Sequence, residues 1–289
     1  MTAPEPLLLL LQGGLGNQLL QLVLAQALAE RRRSPLVVST VLLHSQLRQL
    51  RGLTPRQLSP LVADAVTLTP QPWHHHGLPR LLARLPLQTP VLNDAALLDA
   101  SRHNDPLDSL ASCQVIHSHG TAPLLFSPAF DPQWQRLEQQ LRRQHPSGMI
   151  TPHLALHVRR GDYTATSSGF RLLEQNYYLR ALHQAFADNP GLNRQVLLFS
   201  DDLQWCMQEL SNGPWTLNPQ NGSAEADLAQ LSQASALIIS NSSFSAIAAH
   251  LAQQRCPGLS IYAPDKWLLP AMAARLGDLR QSHWQLVTA

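Results

Sequence analysis

The sequence predicts an α/β protein made of two Rossmann-like halves. Three observations carry this. The chain opens on a strand, a glycine turn, a helix and a second strand; the same alternation restarts after Pro146-Ser147-Gly148; and 289 residues is about twice a modal domain. Domains at residues 1–147 and 148–289 follow, with a ligand cleft between the carboxyl ends of their strands.

Leu7–Leu11 reads as a buried first strand, and Gly13, Gly14 and Gly16 as the turn after it. Leu19, Leu20, Val23, Leu24, Ala27 and Leu28 recur at helical spacing, and Pro35 introduces a second strand at Leu36–Thr40. From Gly52 to Asp131 prolines break the pattern into short helices and loops, with a strand at Val115–His117. Gln133–Gln144 reads as a helix. The second half reads as strands at Leu154–Val158, Val196–Phe199, Ala236–Ile239 and Ser260–Tyr262. Helices fall at Asn176–Phe186, Asp227–Ala234 and Ser245–Gln253.

Composition excludes several classes. Hydrophobic residues make up 44%, too many for a disordered chain. A net charge of +2, with Lys266 the one lysine, gives no electrostatic case for nucleic acid or anionic lipid. Cys113, Cys206 and Cys256 lack both a disulfide framework and zinc-site spacing, so a reducing compartment is expected. Leu7–Leu11 is too short to cross a bilayer, and a soluble cytoplasmic protein is the expectation.

Four constellations carry chemistry. His157-Val158-Arg159-Arg160-Gly161-Asp162-Tyr163 ends a buried strand, where an open α/β sheet binds ligands. Alternation places His157 and Arg159 on one face and Arg160 on the other. Guanidinium groups there can grip a diphosphate and stabilise its charge as it leaves. The competing reading is an ion pair with Asp162 that pins a loop. Gly13-Gly14-Leu15-Gly16-Asn17-Gln18 lets backbone approach a ligand and opens a helix that favours an anion. Leu19 stands where a dinucleotide fingerprint needs its third glycine, so a nicotinamide site is disfavoured and a plain tight turn competes.

Phe199-Ser200-Asp201-Asp202 offers paired carboxylates for a metal, a base or a hydroxyl clamp, against helix capping by Ser200 or Asp201. Asp227 can accept the paired N–H donors of a guanine. Asn241-Ser242-Ser243-Phe244-Ser245 offers hydroxyls and N–H groups to phosphates, with capping by Ser242 or Ser243 as the alternative. His74-His75-His76 reads as a solvated loop ahead of a stray metal site, and His117 and His119 share a strand face with a cleft, core or acceptor-loop role.

The order of these motifs resembles glycosyltransferase family 11, the α-1,2-fucosyltransferases of bacteria and animals. The resemblance runs from Leu11 to about Trp267 and is densest between Leu154 and Leu251; Asn176-Tyr177-Tyr178 and Pro264-Asp265-Lys266-Trp267 add to it. It implies a GT-B architecture, with an acceptor-side first domain and a second that holds the donor, GDP-β-L-fucose. Transfer to the 2-hydroxyl of a galactose-containing glycan, with inversion and without a metal or other cofactor, is implied. By the resemblance Arg159 contacts the β-phosphate, His157 and Asp227 hold the guanosine, and Ser242–Ser245 complete the phosphate site. Gly14, Gly16, Asn17, Gln18, Asp201, Asp202 and Asn241 are further donor-site residues. Arg159, Arg160 and Asp162 are the catalytic set, Asp162 either as a base or as the orienter of Arg160.

The family commonly has NSTFSWW where this chain has Asn241-Ser242-Ser243-Phe244-Ser245-Ala246-Ile247, and GGLGNQMFQY where it has Leu19, Leu20 and Leu22 in place of the last apolar positions. Aromatic packing is lost at both places while the polar residues remain. A related GDP-sugar transferase with another linkage, and a non-catalytic nucleotide-sugar-binding module, are the alternatives. A galactose-ended acceptor carried on a lipid would draw the protein to the inner membrane surface.

Overall fold

The computed structural model describes residues 5–43, 56–66, 89–146, 152–164, 170–273 and 276–289. His74, His75 and His76, and Ser147-Gly148 of the expected linker, lie outside the described residues. The chain forms two compact units, residues 1–137 with 275–277, and residues 138–274 with 278–289. Each is an α/β unit around a parallel sheet, the fold class the alternation predicts.

Unit 1 contains β1 (Leu7–Leu10), α1 (Leu15–Arg32), β2 (Leu36–Ser39), α2 (Pro60–Ala65), β3 (Val91–Leu92), α3 (Asp94–Ala100), α4 (Pro106–Leu110) and β4 (Val115–Ile116). Helix α5 (Asp131–Gln144) follows and contains the division between units. The sheet order is β2-β1-β4-β3, all parallel. Helix α1 starts four residues before its apolar stripe, directly on the glycine turn, because Gly14 serves as its extended N-cap. Arg33, left-handed at φ 53°, ends it by donating its N–H to Ala29 and Glu30 carbonyls. Arg31 and Arg32 in the last turn suit the negative end of the helix dipole.

Unit 2 contains β5 (Leu154–Val158), α6 (Gln175–Asp188), β6 (Gln195–Ser200), α7 (Leu203–Glu209), β7 (Thr216–Pro219), α8 (Ala224–Leu231), β8 (Ala236–Ile238), α9 (Ser243–Arg255), β9 (Ser260–Pro264), α10 (Pro270–Ala273) and β10 (Gln285–Val287). Its order is β10-β9-β8-β5-β6-β7, every pair parallel. Central β5 is buried along its whole length, which is why it reads as an unbroken apolar run with only His157 inside it. Strands β6 and β7 lie to one side of it and β8, β9 and β10 to the other. The order therefore reverses between β5 and β8, the place where such sheets bind ligands beyond their carboxyl ends.

Strands β7 and β10 carry little apolar signal in the sequence. Helix α8 begins three residues before Asp227 because Ser223 caps it, accepting from the Ala226 N–H. Ser242 caps α9 in the same way, accepting from the Phe244 N–H. Cys113 and Cys206 are buried free thiols and Cys256 is an exposed one. Among the described residues no helix is long and apolar enough to cross a membrane.

Candidate active site

The parallel sheet of unit 2 gathers the predicted residues at one edge. Residues 159–162 follow β5, Asp201 and Asp202 follow β6, Asp227 follows β7, and Asn241–Ser245 follow β8. At the reversal point a single hydroxyl joins the two strands. Ser240 Oγ donates to the His157 carbonyl (2.8 Å), accepts from the Arg159 N–H (2.9 Å), and lies 3.0 Å from the Tyr178 hydroxyl. From α6, the neighbouring Tyr177 hydroxyl donates to the Ile239 carbonyl at 2.5 Å. These buried contacts fix the carboxyl ends of β5 and β8 before any ligand arrives.

Arg159 stands between two carboxylates. Its Nη2 meets Asp162 at 2.6 Å and its Nη1 meets Asp201 at 2.7 Å, while its side chain stays 26% exposed. Arg160 is set deeper, at 12% exposure, with Nε 3.2 Å from Asp202 and the guanidinium 3.8 Å over the Trp205 ring. Its Nη1 is buried with no partner among the described residues. The competing ion pair with Asp162 is thus seen at Arg159, and Asp162 does not orient Arg160: one turn of 3-10 helix at Gly161–Thr164 swings Asp162 back under its third neighbour.

Gly161 makes this possible, since a Cβ there would run into the Asp201 carboxylate. Asp201 also accepts from the Arg160 N–H at 2.8 Å, so one carboxylate holds both arginines in place. The cap of α7 is Asp202, accepting from the Trp205 N–H, rather than Ser200 or Asp201; the Ser200 Oγ accepts from the Asp202 N–H instead. Tyr163 supports Arg159 from below, its ring 5.6 Å from the guanidinium and stacked on Phe170 at 4.7 Å.

His157 is buried beside Phe244 (5.2 Å between ring centroids). Desolvation, with the Arg159 charge added, pushes its pKa down to about 3, so the imidazole is neutral in ordinary buffers. Its Nδ1 has no partner among the described residues. Asn241 is a clamp: its Nδ2 donates to the Arg171 carbonyl (2.8 Å) and the Trp267 carbonyl (2.9 Å), leaving Oδ1 buried and without a partner there. Ser245 was expected at the phosphates, but its hydroxyl is buried and donates inward to the Ser240 carbonyl at 2.9 Å. Ser242 and Ser243 remain at the N-terminus of α9. Asp227 is half-buried and accepts a 3.2 Å bond from the Gly222 N–H; burial raises its pKa, with that bond opposing.

In unit 1, Gly13 takes φ +85° and lies against the Asn17 side chain, so the turn needs glycine there. Gln18 is buried, and its amide is engaged by the chain itself: Nε2 donates to the Gly13 and Gln57 carbonyls and Oε1 accepts from the Ser59 N–H. Its place is to brace the turn rather than to reach a ligand. Gln21, unremarked in the motif, does the same for Gln12 through both ends of its amide.

A parallel α/β unit with paired arginines at its switch point is what this geometry defines. Residues 135–269 match the model of glycosyl transferase family 11, so the resemblance read from the motifs is shown over that segment. No curated protein matches the chain. Among solved structures, fucosyltransferase NodZ from Bradyrhizobium is similar at 14% identity, covering 86% of this chain and 92% of that one, with a TM-score of 0.45. A mutant of FUT1 from Arabidopsis thaliana in complex with GDP has 12% identity, 96% and 75% coverage, and a TM-score of 0.47. Heptosyltransferase WaaC of E. coli with ADP has 12% identity, 98% and 93% coverage, and a TM-score of 0.44.

Proposed function

We propose that the protein transfers L-fucose from GDP-β-L-fucose to the 2-hydroxyl of a galactose-containing glycan, with inversion. The observation that carries this reading is the pair of adjoining guanidiniums at the switch point of unit 2, in a segment that matches glycosyl transferase family 11. Arg159 meets the β-phosphate with the N–H groups its carboxylates leave open. Arg160, held by Asp202 and Trp205, is a positioning residue that adds positive charge behind it. Ser242, Ser243 and the N-terminus of α9 receive phosphate oxygens. Asp227 accepts from guanine N1–H and the N2 amine, and His157, neutral and buried, packs at the guanosine end. Gly14, Gly16 and Asn17 open α1 in unit 1, at a turn whose backbone can approach an anion.

In the reaction the bond between C1 and the diphosphate oxygen breaks ahead of attack, and its electron pair passes to the diphosphate. Fixed cations stabilise that charge without reorganising. Asp162, tied to Arg159 at 2.6 Å, holds the cation in place. No metal is needed in this scheme. A galactose-ended acceptor on a lipid at the inner face of the membrane fits a cytoplasmic enzyme.

The test is release of GDP from GDP-fucose with and without galactosides, in EDTA, with linkage analysis of the product. Acceptor-dependent release and an α-1,2 product support the reading. An α-1,6 or protein-linked product moves the chain to a related GDP-fucose transferase, and binding without turnover makes it a non-catalytic module.

A further inference from the structure

In unit 2 the ladder between β5 and β8 ends at the Leu156–Ile238 pair, three residues short of Arg159. A side chain continues the seam. Ser240 Oγ bonds the His157 carbonyl and the Arg159 N–H, one on each side of Val158. Arg159 is the first residue past β5, and its peptide is held there by a hydroxyl.

Counting protons assigns the third contact of that hydroxyl. A serine Oγ has one proton and two lone pairs. The proton goes to the His157 carbonyl and one lone pair takes the Arg159 N–H, so the 3.0 Å contact with Tyr178 uses the second lone pair and the tyrosine is the donor. Burial raises the pKa of the Tyr178 hydroxyl, with the Ser240 bond opposing, so the donor proton stays in place. Ser240 and Tyr178 are both fully buried, so water does not refill the position when the hydroxyl is removed. The Tyr178 ring lies edge-on to Trp205, with centroids 6.1 Å apart at 70°, and Trp205 carries Arg160. One side chain of α6 therefore reaches the supports of both guanidiniums.

We propose that Tyr178 is a positioning residue: its hydroxyl seats Ser240, Ser240 fixes the peptide of Arg159, and the Arg159 guanidinium is thereby aimed at the departing diphosphate. This rests on the transferase reading. Every residue in the chain of contacts lies in unit 2. Asp162 and Asp201 hold the far end of the Arg159 side chain and Ser240 the near end, so the place of the cation depends on both. A displacement of about 1 Å in a catalytic group can lower a rate ~10²-fold, and a fraction of that shift about tenfold. Phenylalanine at position 178 keeps the ring and so the contact with Trp205, which confines the perturbation to the Arg159 arm.

The full-length chain is assayed with GDP-fucose and lactose in a wild-type and an Arg159→Ala background, with GDP affinity by calorimetry and a thermal melt for each variant. Tyr178→Phe should lower kcat about tenfold in the first background, with GDP affinity within about threefold. In the second it should lower kcat less than about twofold, because the group it aims is missing. Tyr262→Phe removes a hydroxyl bonded to Asp188 and Asn189 at the other end of α6, and should keep kcat within about twofold of wild type. A Tyr178→Phe kcat within about twofold of wild type overturns the proposal. So does an equal loss in both backgrounds, which is the mark of a general loosening of the fold. If Tyr178→Phe gives no cooperative melt, Ser240→Ala in the same two backgrounds decides, since it cuts the same link. A wild-type chain that neither binds GDP nor turns over GDP-fucose overturns the transferase reading with it, whereas an active wild type indifferent to Tyr178→Phe overturns this proposal alone.

Discussion

Replacing Arg159 with alanine separates catalysis from support. A guanidinium carries five N–H donors, and Asp162 and Asp201 approach one Nη each, so donors remain on Nε and on both Nη atoms. Two charge-assisted bonds from these to a diphosphate are worth ~1.5–3 kcal/mol each, about 3–6 kcal/mol together. If they form fully only as the diphosphate leaves, kcat falls ~10²–10⁴-fold. The structural cost is smaller, because both ion pairs are partly exposed and such pairs contribute ~0–1 kcal/mol each. The melting temperature should therefore move by no more than a few degrees, roughly 2–4 °C per kcal/mol for a chain this size. GDP release with a galactoside acceptor measures kcat, and a thermal melt checks the fold. A folded Arg159→Ala protein within about tenfold of wild-type kcat would refute the assignment of Arg159 to the leaving group.

The remaining predictions concern its neighbours and the buried histidines. Asp227→Asn should weaken GDP ~10–100-fold while leaving ADP affinity nearly unchanged, measured by calorimetry with both nucleotides; equal losses would remove Asp227 from base recognition. Gly161→Ala should displace the Asp201 carboxylate from Arg159 and the Arg160 N–H and lower kcat about tenfold in a folded protein; unaltered turnover would show that this contact is dispensable. Asp162→Asn should tighten GDP a few-fold by removing a like charge, since two charges ~5 Å apart in water interact by about 0.8 kcal/mol, and a tenfold loss of affinity would contradict it. Burial lowers the pKa of His157 to about 3 and of His250 to about 4, against 6.5 when exposed. The unfolded chain then binds more protons below pH 6.5, so stability present above that pH should fall as pH drops toward 3–4, by about 1.4 kcal/mol per pH unit for each histidine. Urea midpoints between pH 7 and 4 test this, and His157→Gln should flatten the slope.

The sheet strands of unit 2 were legible because β5, β6 and β8 are buried on both faces and so appear as apolar runs. Strands β7 and β10 were not, since one face of each is exposed and too short to show alternation. Among site residues, Arg159, Arg160, Asp201 and Asp202 are brought together as the motif order implied. What escaped was the polar wiring beneath them. Ser240 carries a local signal, a hydroxyl directly after an apolar strand, but its three partners are 62 to 83 residues away in sequence, which no local pattern records. The same holds for Trp205 under Arg160 and for Asp94 beside His119. Ser245 and Gln18 failed in the opposite sense: polar residues inside a motif proved to satisfy backbone groups that burial would otherwise strand.

The arginine cluster holds two guanidiniums against three carboxylates, so its formal charge is negative before a ligand binds. That looks wrong for a diphosphate site until the carboxylates are sorted by what else they hold. Asp202 caps α7 and Asp201 accepts the Arg160 N–H, so both belong to the frame. Asp162 is the most exposed of the three, at 47%, so solvent screens its charge most, while Arg159 keeps open N–H groups beside both of its carboxylates. The carboxylates keep the arginines pointed, and an incoming anion is met by the N–H groups they leave open. In the proposed transfer such a site favours the transition state over the ground state, because the charge that grows on the departing diphosphate meets guanidiniums already in position.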